Sequence, residues 1–185
     1  MSSRAYLKGL AKDQIKGNIG ILFLCMLVVG LIVSVSAFTG VGPILLGPVF
    51  MIALIRIILR MTEGQAPQVN EVFKGFDVFG KASWLMILIG IFTYLWTMLL
   101  IVPGIIKGLS YSMAMFVLAE NPDMTAREAL NESKRIMKGN VSKLFVLELS
   151  FLPWLLLTMI TAGIAGIYVA PYMYTTLANF YKEIR

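Results

Sequence analysis

Long apolar runs without charged residues are the feature that most constrains this sequence. The first run extends from Asn18 to Phe38, and about 20 apolar helical residues suffice to cross the ~30 Å hydrocarbon layer of a bilayer. A water-soluble domain uses roughly a quarter of its residues as charged groups, whereas this chain of 185 residues contains only 14%. The sequence therefore predicts an all-α integral membrane protein.

Six transmembrane helices are predicted, and together they form a single membrane domain, residues 1–185. Only Pro103-Gly104 separates the third span from the fourth, so we interpret these two residues as a helix break. Pro153 lies inside the fifth span, where its missing backbone donor predicts a kink. The predicted spans are about 18–38, 43–61, 81–102, 104–118, 141–161 and 163–181.

The distribution of basic residues predicts the orientation. Of the 16 Lys and Arg residues, 15 lie in or beside the N-terminal segment, the second-to-third and fourth-to-fifth connections and the C-terminal tail, and only Lys107 lies near the other side. Cytoplasmic loops of membrane proteins carry such an excess. We therefore predict a bacterial cytoplasmic (inner) membrane protein with both termini in the cytoplasm. Nucleic acid is not an expected partner, because the basic residues flank apolar runs instead of forming one patch.

An amphipathic segment precedes each pair of spans, at residues 2–16, 68–79 and 125–138. The third begins with a capping box made by Thr125 and Glu128. We expect all three to lie on the cytoplasmic leaflet and to attract anionic lipid headgroups, by about 1 kcal/mol for each Lys or Arg near the surface. Three hairpins with three such segments indicate an internal three-fold repeat. The alternative is that any series of membrane hairpins has similar residues at its helix ends.

Glycine followed by asparagine ends the first and third segments, at Gly17-Asn18 and Gly139-Asn140. Glycine readily adopts the left-handed conformation that terminates a helix, and asparagine is a favoured N-cap of the helix that follows. Pro48 and Pro171 also occur at similar depths in the second and sixth spans. These correspondences predict that the first and third copies are the most alike.

Several short motifs in spans three to six are distinctive, and they are Trp96, Val102-Pro103-Gly104-Ile105-Ile106-Lys107, Met137-Lys138-Gly139, Phe145 to Ser150-Phe151, and Pro171-Tyr172. With these motifs the sequence resembles, over nearly the whole chain, a family of uncharacterised bacterial polytopic membrane proteins, catalogued only as a domain of unknown function. The resemblance implies a six-helix bacterial membrane protein, and it implies neither an activity nor a catalytic residue.

Four polar residues inside the predicted spans are candidates for function or structure, because ionisable groups in a bilayer are costly. Arg56 and Glu148 lie at comparable depth, and we expect them to pair as a structural clamp between the first and third hairpins. The alternatives are a gate or proton-linked switch, and extension of Arg56 to the lipid headgroups. Lys107 is expected either to extend outward to the headgroups or to line a polar vestibule with Ser110, Tyr111 and Ser112. Asn179 is expected to make an interhelical hydrogen bond.

Several chemistries are excluded by composition. The chain has no His and one cysteine, Cys25, so it lacks the ligands of His/Cys zinc sites and a His-dependent triad. We predict no catalytic, cofactor-binding or metal-binding residue. The favoured function is a non-catalytic membrane factor in stress, immunity or scaffolding, and the alternative is a small transporter or channel lined by Arg56, Lys107 and Glu148. The bilayer, a second copy of the chain or another membrane protein are the expected partners.

Overall fold

The computed structural model of the chain describes residues 3–99 and 101–185. All regular secondary structure within these ranges is helical, which confirms the predicted all-α class. Two 3₁₀ segments, Ala37–Thr39 and Val69–Val78, accompany the α-helices. The α-helices are α1 (Arg4–Ile15), α2 (Ile19–Ser36), α3 (Gly42–Met61), α4 (Phe79–Leu99), α5 (Ile101–Tyr111), α6 (Ala114–Glu120), α7 (Ala126–Met137), α8 (Val141–Leu149), α9 (Leu152–Ile160) and α10 (Gly166–Ile184).

Five stretches of the described chain are long and apolar enough to cross a membrane, and they indicate a membrane protein. The helix of the sixth predicted span, α10, is not among them. The five stretches are Ile19–Thr39, Gly42–Met61, Val69–Met98, Val102–Glu120 and Val141–Ile160.

Burial differs between the two helices of each hairpin. In the most apolar windows of Ile19–Thr39 and Val141–Ile160, 17% of residues are buried, against 50% for Gly42–Met61 and Val102–Glu120. The second helices therefore form the interior, and the first helices present large apolar side chains outward. Helix α10 belongs to the interior too, because it packs against α1, α2, α3 and α9 and buries Tyr172, Thr175 and Asn179. An interior helix can be more polar than one that faces lipid.

The predicted helix break at Pro103-Gly104 is wrong in position. Both residues lie in the first turn of α5, which begins at Ile101. Proline is tolerated there because the first-turn N–H groups have no intrahelical acceptor. Gly104 has a packing role instead, since a Cβ at this position would lie 2.4 Å from Thr97 Oγ1 on α4. The absence of a side chain lets the two helices of this hairpin approach closely.

The helix of the fifth predicted span is interrupted near the expected kink. Helix α8 ends at Leu149 and α9 begins at Leu152, with Pro153 in the first turn of α9. The Ser150 hydroxyl donates to the Leu147 carbonyl oxygen at 2.5 Å. Proline thus starts a new helix here, and the serine hydroxyl bonds a carbonyl near the end of the preceding one.

The middle amphipathic segment is a 3₁₀-helix and not the α-helix that its apolar stripe predicts. Its buried residues are Val72, Gly75 and Val78, which repeat every three positions as a helix with three residues per turn requires. A Cβ on Gly75 would lie 2.3 Å from the Val49 carbonyl oxygen of α3. Close contact with α3 at this glycine accompanies the tighter helix.

The two glycine–asparagine junctions have the same backbone conformation. Gly17 and Gly139 have φ values of 82° and 83°, as the left-handed prediction requires. Asn18 and Asn140 occupy the predicted N-cap positions of α2 and α8, but neither makes a side-chain capping bond to the helix that follows. Asn140 Nδ2 donates instead to the Ile136 carbonyl oxygen at 2.9 Å, at the end of α7.

The close approach at Gly75 generates a stability prediction. Gly75→Ala places a methyl group against a backbone oxygen, so we expect the free energy of unfolding to fall by about 1–3 kcal/mol, as for other overpacked sites. Gly80→Ala is the matched control, since a Cβ at Gly80 meets nothing within 4 Å and alanine favours the helix. Thermal unfolding in detergent measures both. Equal melting temperatures for the two variants would contradict the packing of residues 69–78 on α3.

Candidate functional site at the basic end of the bundle

The ion pairs that the structure describes lie at one end of the bundle, which we call the basic end. It comprises the start of α4, the ends of α3, α6 and α10, and the collar, defined as α1, residues 69–78 and α7. The pairs are Arg56–Asp77, Arg60–Glu71, Lys74–Glu71, Arg135–Glu132, Lys182–Glu63 and Arg185–Glu120.

Arg56 pairs with Asp77, and the predicted Arg56–Glu148 pair is wrong. Arg56 Nη1 lies 2.9 Å from each carboxylate oxygen of Asp77 and donates to the Lys74 carbonyl oxygen at 3.0 Å. Its Nε donates to the Ala119 carbonyl oxygen at 2.9 Å. One guanidinium therefore joins α3 to the 69–78 segment and to the end of α6. Arg60 adds a second ion pair to the same segment through Glu71.

A second set of contacts joins the ends of the interior helices to one another. Tyr181 on α10 donates its hydroxyl to Glu120 Oε2 on α6 at 2.8 Å, and Arg185 pairs with the same carboxylate. Lys182 Nζ lies 3.3 Å from Glu63 Oε1, just beyond α3. The end of α10 is thus tied to both neighbouring hairpins.

Asn179 makes an interhelical hydrogen bond. Its Nδ2 donates to Gln14 Oε1 at 2.6 Å, which connects α10 to α1. Asn179 is buried, so the amide has a partner where an unsatisfied polar group would be costly. This contact joins the first collar segment to the last helix of the chain.

Glu148 lies apart from the basic end's ion pairs. It is exposed on α8 and lines a mostly apolar groove of about 320 Å³ with residues that include Phe151 and Leu177. No ion pair of Glu148 occurs among the residues that the structure describes. Its carboxylate therefore faces the apolar outer surface of the third hairpin.

Lys107 contacts an aromatic ring, and both of its predicted environments, the headgroups and a polar vestibule, stay predictions. Its Nζ lies 4.9 Å from the centroid of the Trp96 ring on α4, within cation–π range. Ser110 and Ser112, two of the predicted vestibule hydroxyls, donate to the Ile106 and Leu109 carbonyl oxygens of α5 at 2.7 and 2.8 Å. Both hydroxyl protons are therefore bonded to the backbone of α5.

The three ionisable residues predicted to line a transport path do not share a groove. Arg56 lines a polar groove of about 350 Å³ together with Asp77 and Glu120, Glu148 lines the apolar groove on α8, and Lys107 stacks on Trp96. The arrangement places one charged cluster at the basic end and two separate charges elsewhere on the bundle.

The sequence analysis missed a set of contacts between collar lysines and aromatic rings. Lys12 Nζ lies 5.7 Å from the Trp154 centroid and 5.6 Å from that of Tyr172. Lys134 Nζ occupies a comparable place on α7, 5.7 Å from Phe92 and 5.4 Å from Tyr111.

A sequence signal for these contacts existed, because Lys12 and Lys134 are separated by the same 122 positions as Gly17 and Gly139. What the sequence did not show is which hairpin each lysine contacts, the third for Lys12 and the second for Lys134.

Hydrogen bonds and ion pairs lower the pKa values of two acids on α7. The Thr125 backbone N–H and hydroxyl both bond Glu128 and hold the pKa of that carboxyl below its usual value, completing the predicted capping box. A hydrogen bond from Arg135 likewise lowers the pKa of Glu132. Both carboxylates thus stay charged on the exposed side of the collar. The described residues contain no group of three or more Cys, Asp or Glu side chains able to hold a metal ion.

Comparison with known proteins gives a family without an assigned activity. Residues 98–185 match a family described as "Protein of unknown function (DUF975)". This confirms, for that part of the chain, the resemblance to an uncharacterised family. No curated protein and no solved structure matches the chain.

A double-mutant cycle tests the partner of Arg56. We expect Arg56→Ala and Asp77→Ala each to lower the melting temperature in detergent. The double variant should lower the melting temperature by less than the sum of the two single decreases. Contacting residues couple by about 0.5–3 kcal/mol, and the low end applies here because half of the Asp77 side chain is exposed. The control cycle is Arg56→Ala with Glu148→Ala, for which the losses should add. Coupling in the control cycle alone would contradict the structure.

Proposed function

We propose that this protein is a non-catalytic, six-span scaffolding factor of the bacterial inner membrane that acts through its cytoplasmic collar. Membrane stress and immunity against membrane-active agents are the settings in which such a factor would operate. The observation that carries the proposal is the collar itself. Its three amphipathic segments pack on the bundle at the end that holds the ion pairs, and much of their charge remains exposed there.

The collar closes on itself, which supports an internal three-fold repeat. Residues 69–78 pack on α2 and α3, the preceding hairpin, and α7 packs on α4, α5 and α6. Helix α1 packs on α10, in the third hairpin. Each collar segment therefore sits on the hairpin before it in a cyclic order. A repeat with approximate three-fold symmetry would produce this arrangement.

The first and third copies correspond residue by residue. Helices α1 and α7 each have 12 residues, and their bounds differ by 122 positions. The buried residues of α1 recur in α7 at that offset, which supports a common origin for the two segments. The buried pairs are Leu7 with Ala129, Ala11 with Ser133, and Ile15 with Met137.

The sixth span of the proposal is α10. Its 19 residues would extend about 28 Å at 1.5 Å per residue, close to the ~30 Å of a bilayer's hydrocarbon layer. Its burial among other helices accounts for its lower hydropathy. With α10 crossing the membrane, both termini lie at the basic end, on the cytoplasmic side according to the positive-inside rule.

A small transporter or channel remains the alternative. Its proposed lining is Arg56, Lys107 and Glu148, and these residues occupy three separate environments. The interior helices also meet through apolar side chains such as Ile55 and Met113, both almost fully buried. These observations favour the scaffolding factor over transport.

Labelling of single cysteines in a Cys25→Ala background tests the topology. Val41 and Ile164 are exposed at the tight connections opposite the basic end, and Arg127 is exposed on α7. Val41→Cys and Ile164→Cys should react in intact cells with a membrane-impermeant thiol reagent, and Arg127→Cys should react only after the membrane is opened. The reverse pattern would contradict the proposed orientation.

A second labelling experiment separates scaffold from transporter. Thr175 is fully buried in α10, so Thr175→Cys should stay unlabelled by a small charged thiol reagent in open membrane fragments. Val117→Cys and Ile58→Cys, both at almost fully buried positions, extend the test to α6 and α3, with Arg127→Cys as the labelled control. Rapid labelling at Thr175 would show water in the interior and would support the transport alternative.

A further inference from the structure

A groove of about 300 Å³ lies between α1, α8 and α10 at the basic end. This volume is at the lower limit of the ~300–1,000 Å³ typical of sites for small molecules. The groove is distinct from the Arg56 cluster and belongs to none of the contacts described above. Its position, between the first collar helix and the third hairpin, is where the cyclic arrangement of the collar closes.

The polarity of the groove changes in the same direction along all three helices. Each helix contributes polar residues near its end, and these are Arg4, Ser142, Lys143 and Glu183. One turn further along, each helix contributes apolar residues, and these are Leu7, Val146, Leu147 and Phe180. A molecule that fills the groove must therefore have a polar end at the basic end of the bundle and an apolar end toward its middle.

Basic residues outnumber acids at the polar end of the groove. Arg4 and Lys143 line it together with one acid, Glu183, and Lys8 and Lys12 follow Arg4 on α1 at four-residue spacing. Burial lowers the pKa of Lys8, and repulsion from Lys12 and Arg4 lowers it further. An anion at the groove would relieve this repulsion.

Lys8 joins α1 to the third hairpin close to the groove. Its Nζ donates to the Ser150 carbonyl oxygen at 2.8 Å and lies 4.0 Å from the centroid of the Phe151 ring. These contacts hold α1 against the interruption between α8 and α9. They thereby connect the two elements that contribute Leu7 and Leu147 to the groove.

We propose that this groove binds one anionic phospholipid of the cytoplasmic leaflet, with its phosphate at Arg4 and Lys143 and its acyl chains leading past Leu7, Val146 and Phe180. The inference rests on the proposed orientation only for the choice of leaflet. Phosphatidylglycerol fits best, because its phosphate carries the negative charge and its glycerol hydroxyls can donate to Glu183. The Ser142 hydroxyl supplies a further hydrogen-bonding group at the same end.

Native mass spectrometry of the full chain in detergent tests the site. Phosphatidylglycerol and phosphatidylcholine with identical acyl chains are titrated separately, and we expect one phosphatidylglycerol to be retained in strong preference. Arg4→Ala should weaken retention about tenfold, as expected for loss of one hydrogen bond to a charged group. Arg127→Ala is the matched control, because it removes one exposed positive charge from α7 instead of α1, and retention should be unchanged.

Two further measurements keep the outcome decisive. Val146→Trp fills the groove from a partly exposed position and should abolish retention while the melting temperature in lipid-free detergent stays near that of the parent. Free glycerol phosphate should not displace the lipid, because it lacks the acyl chains. Any of three results would overturn the proposal. They are equal retention of both lipids, an equal loss of phosphatidylglycerol retention in Arg4→Ala and Arg127→Ala, and displacement of the lipid by glycerol phosphate. Since binding is measured in detergent, these results are independent of the topology labelling.

Discussion

The contact between α1 and α10 is the interaction on which the closed arrangement of this bundle depends. Leu7, Ala11 and Ile15 form the buried face of α1, and α10 is the helix on which it packs. The N-terminal helix thereby covers the hairpin that is last in sequence. Each of the other two hairpins is covered by a collar segment of its own. Without the contact between α1 and α10, the third hairpin would have none.

A membrane environment explains where the polar groups lie. Exposed charges are compatible with headgroups and water but costly in hydrocarbon, and the described ion pairs all lie at the basic end. Several deeper hydroxyls bond backbone carbonyl oxygens, as Ser83 does to Leu45 of α3 and Phe79 of its own helix. Glu148 and Lys107 are two charged residues that lie apart from the ion pairs of the basic end. Lys107 has an aromatic ring as its partner, whereas Glu148 lines the apolar groove on α8.

The sequence predicted the helices well because their causes are local. Apolar run length, the Thr125–Glu128 capping box and the left-handed glycines at 17 and 139 each act within a few residues. Partner choice was not predictable in this way. Arg56 bonds Asp77 because residues 69–78 fold back onto α3, and that packing depends on a close approach at Gly75 that apolar periodicity does not reveal. The Lys12 and Lys134 contacts were missed for the same reason, since they depend on which hairpin each collar segment covers.

Cross-linking between α1 and α10 tests the closed collar most directly. Gln14 and Asn179 are joined by a hydrogen bond of 2.6 Å, so Gln14→Cys with Asn179→Cys, in a Cys25→Ala background, should be linked by a short bifunctional thiol reagent in native membranes. Chains with only one of the two cysteines are the controls. The account predicts an internal link that leaves the chain monomeric in denaturing electrophoresis. Absence of a link, or links only between two chains, would contradict the packing of α1 on the last hairpin of its own chain.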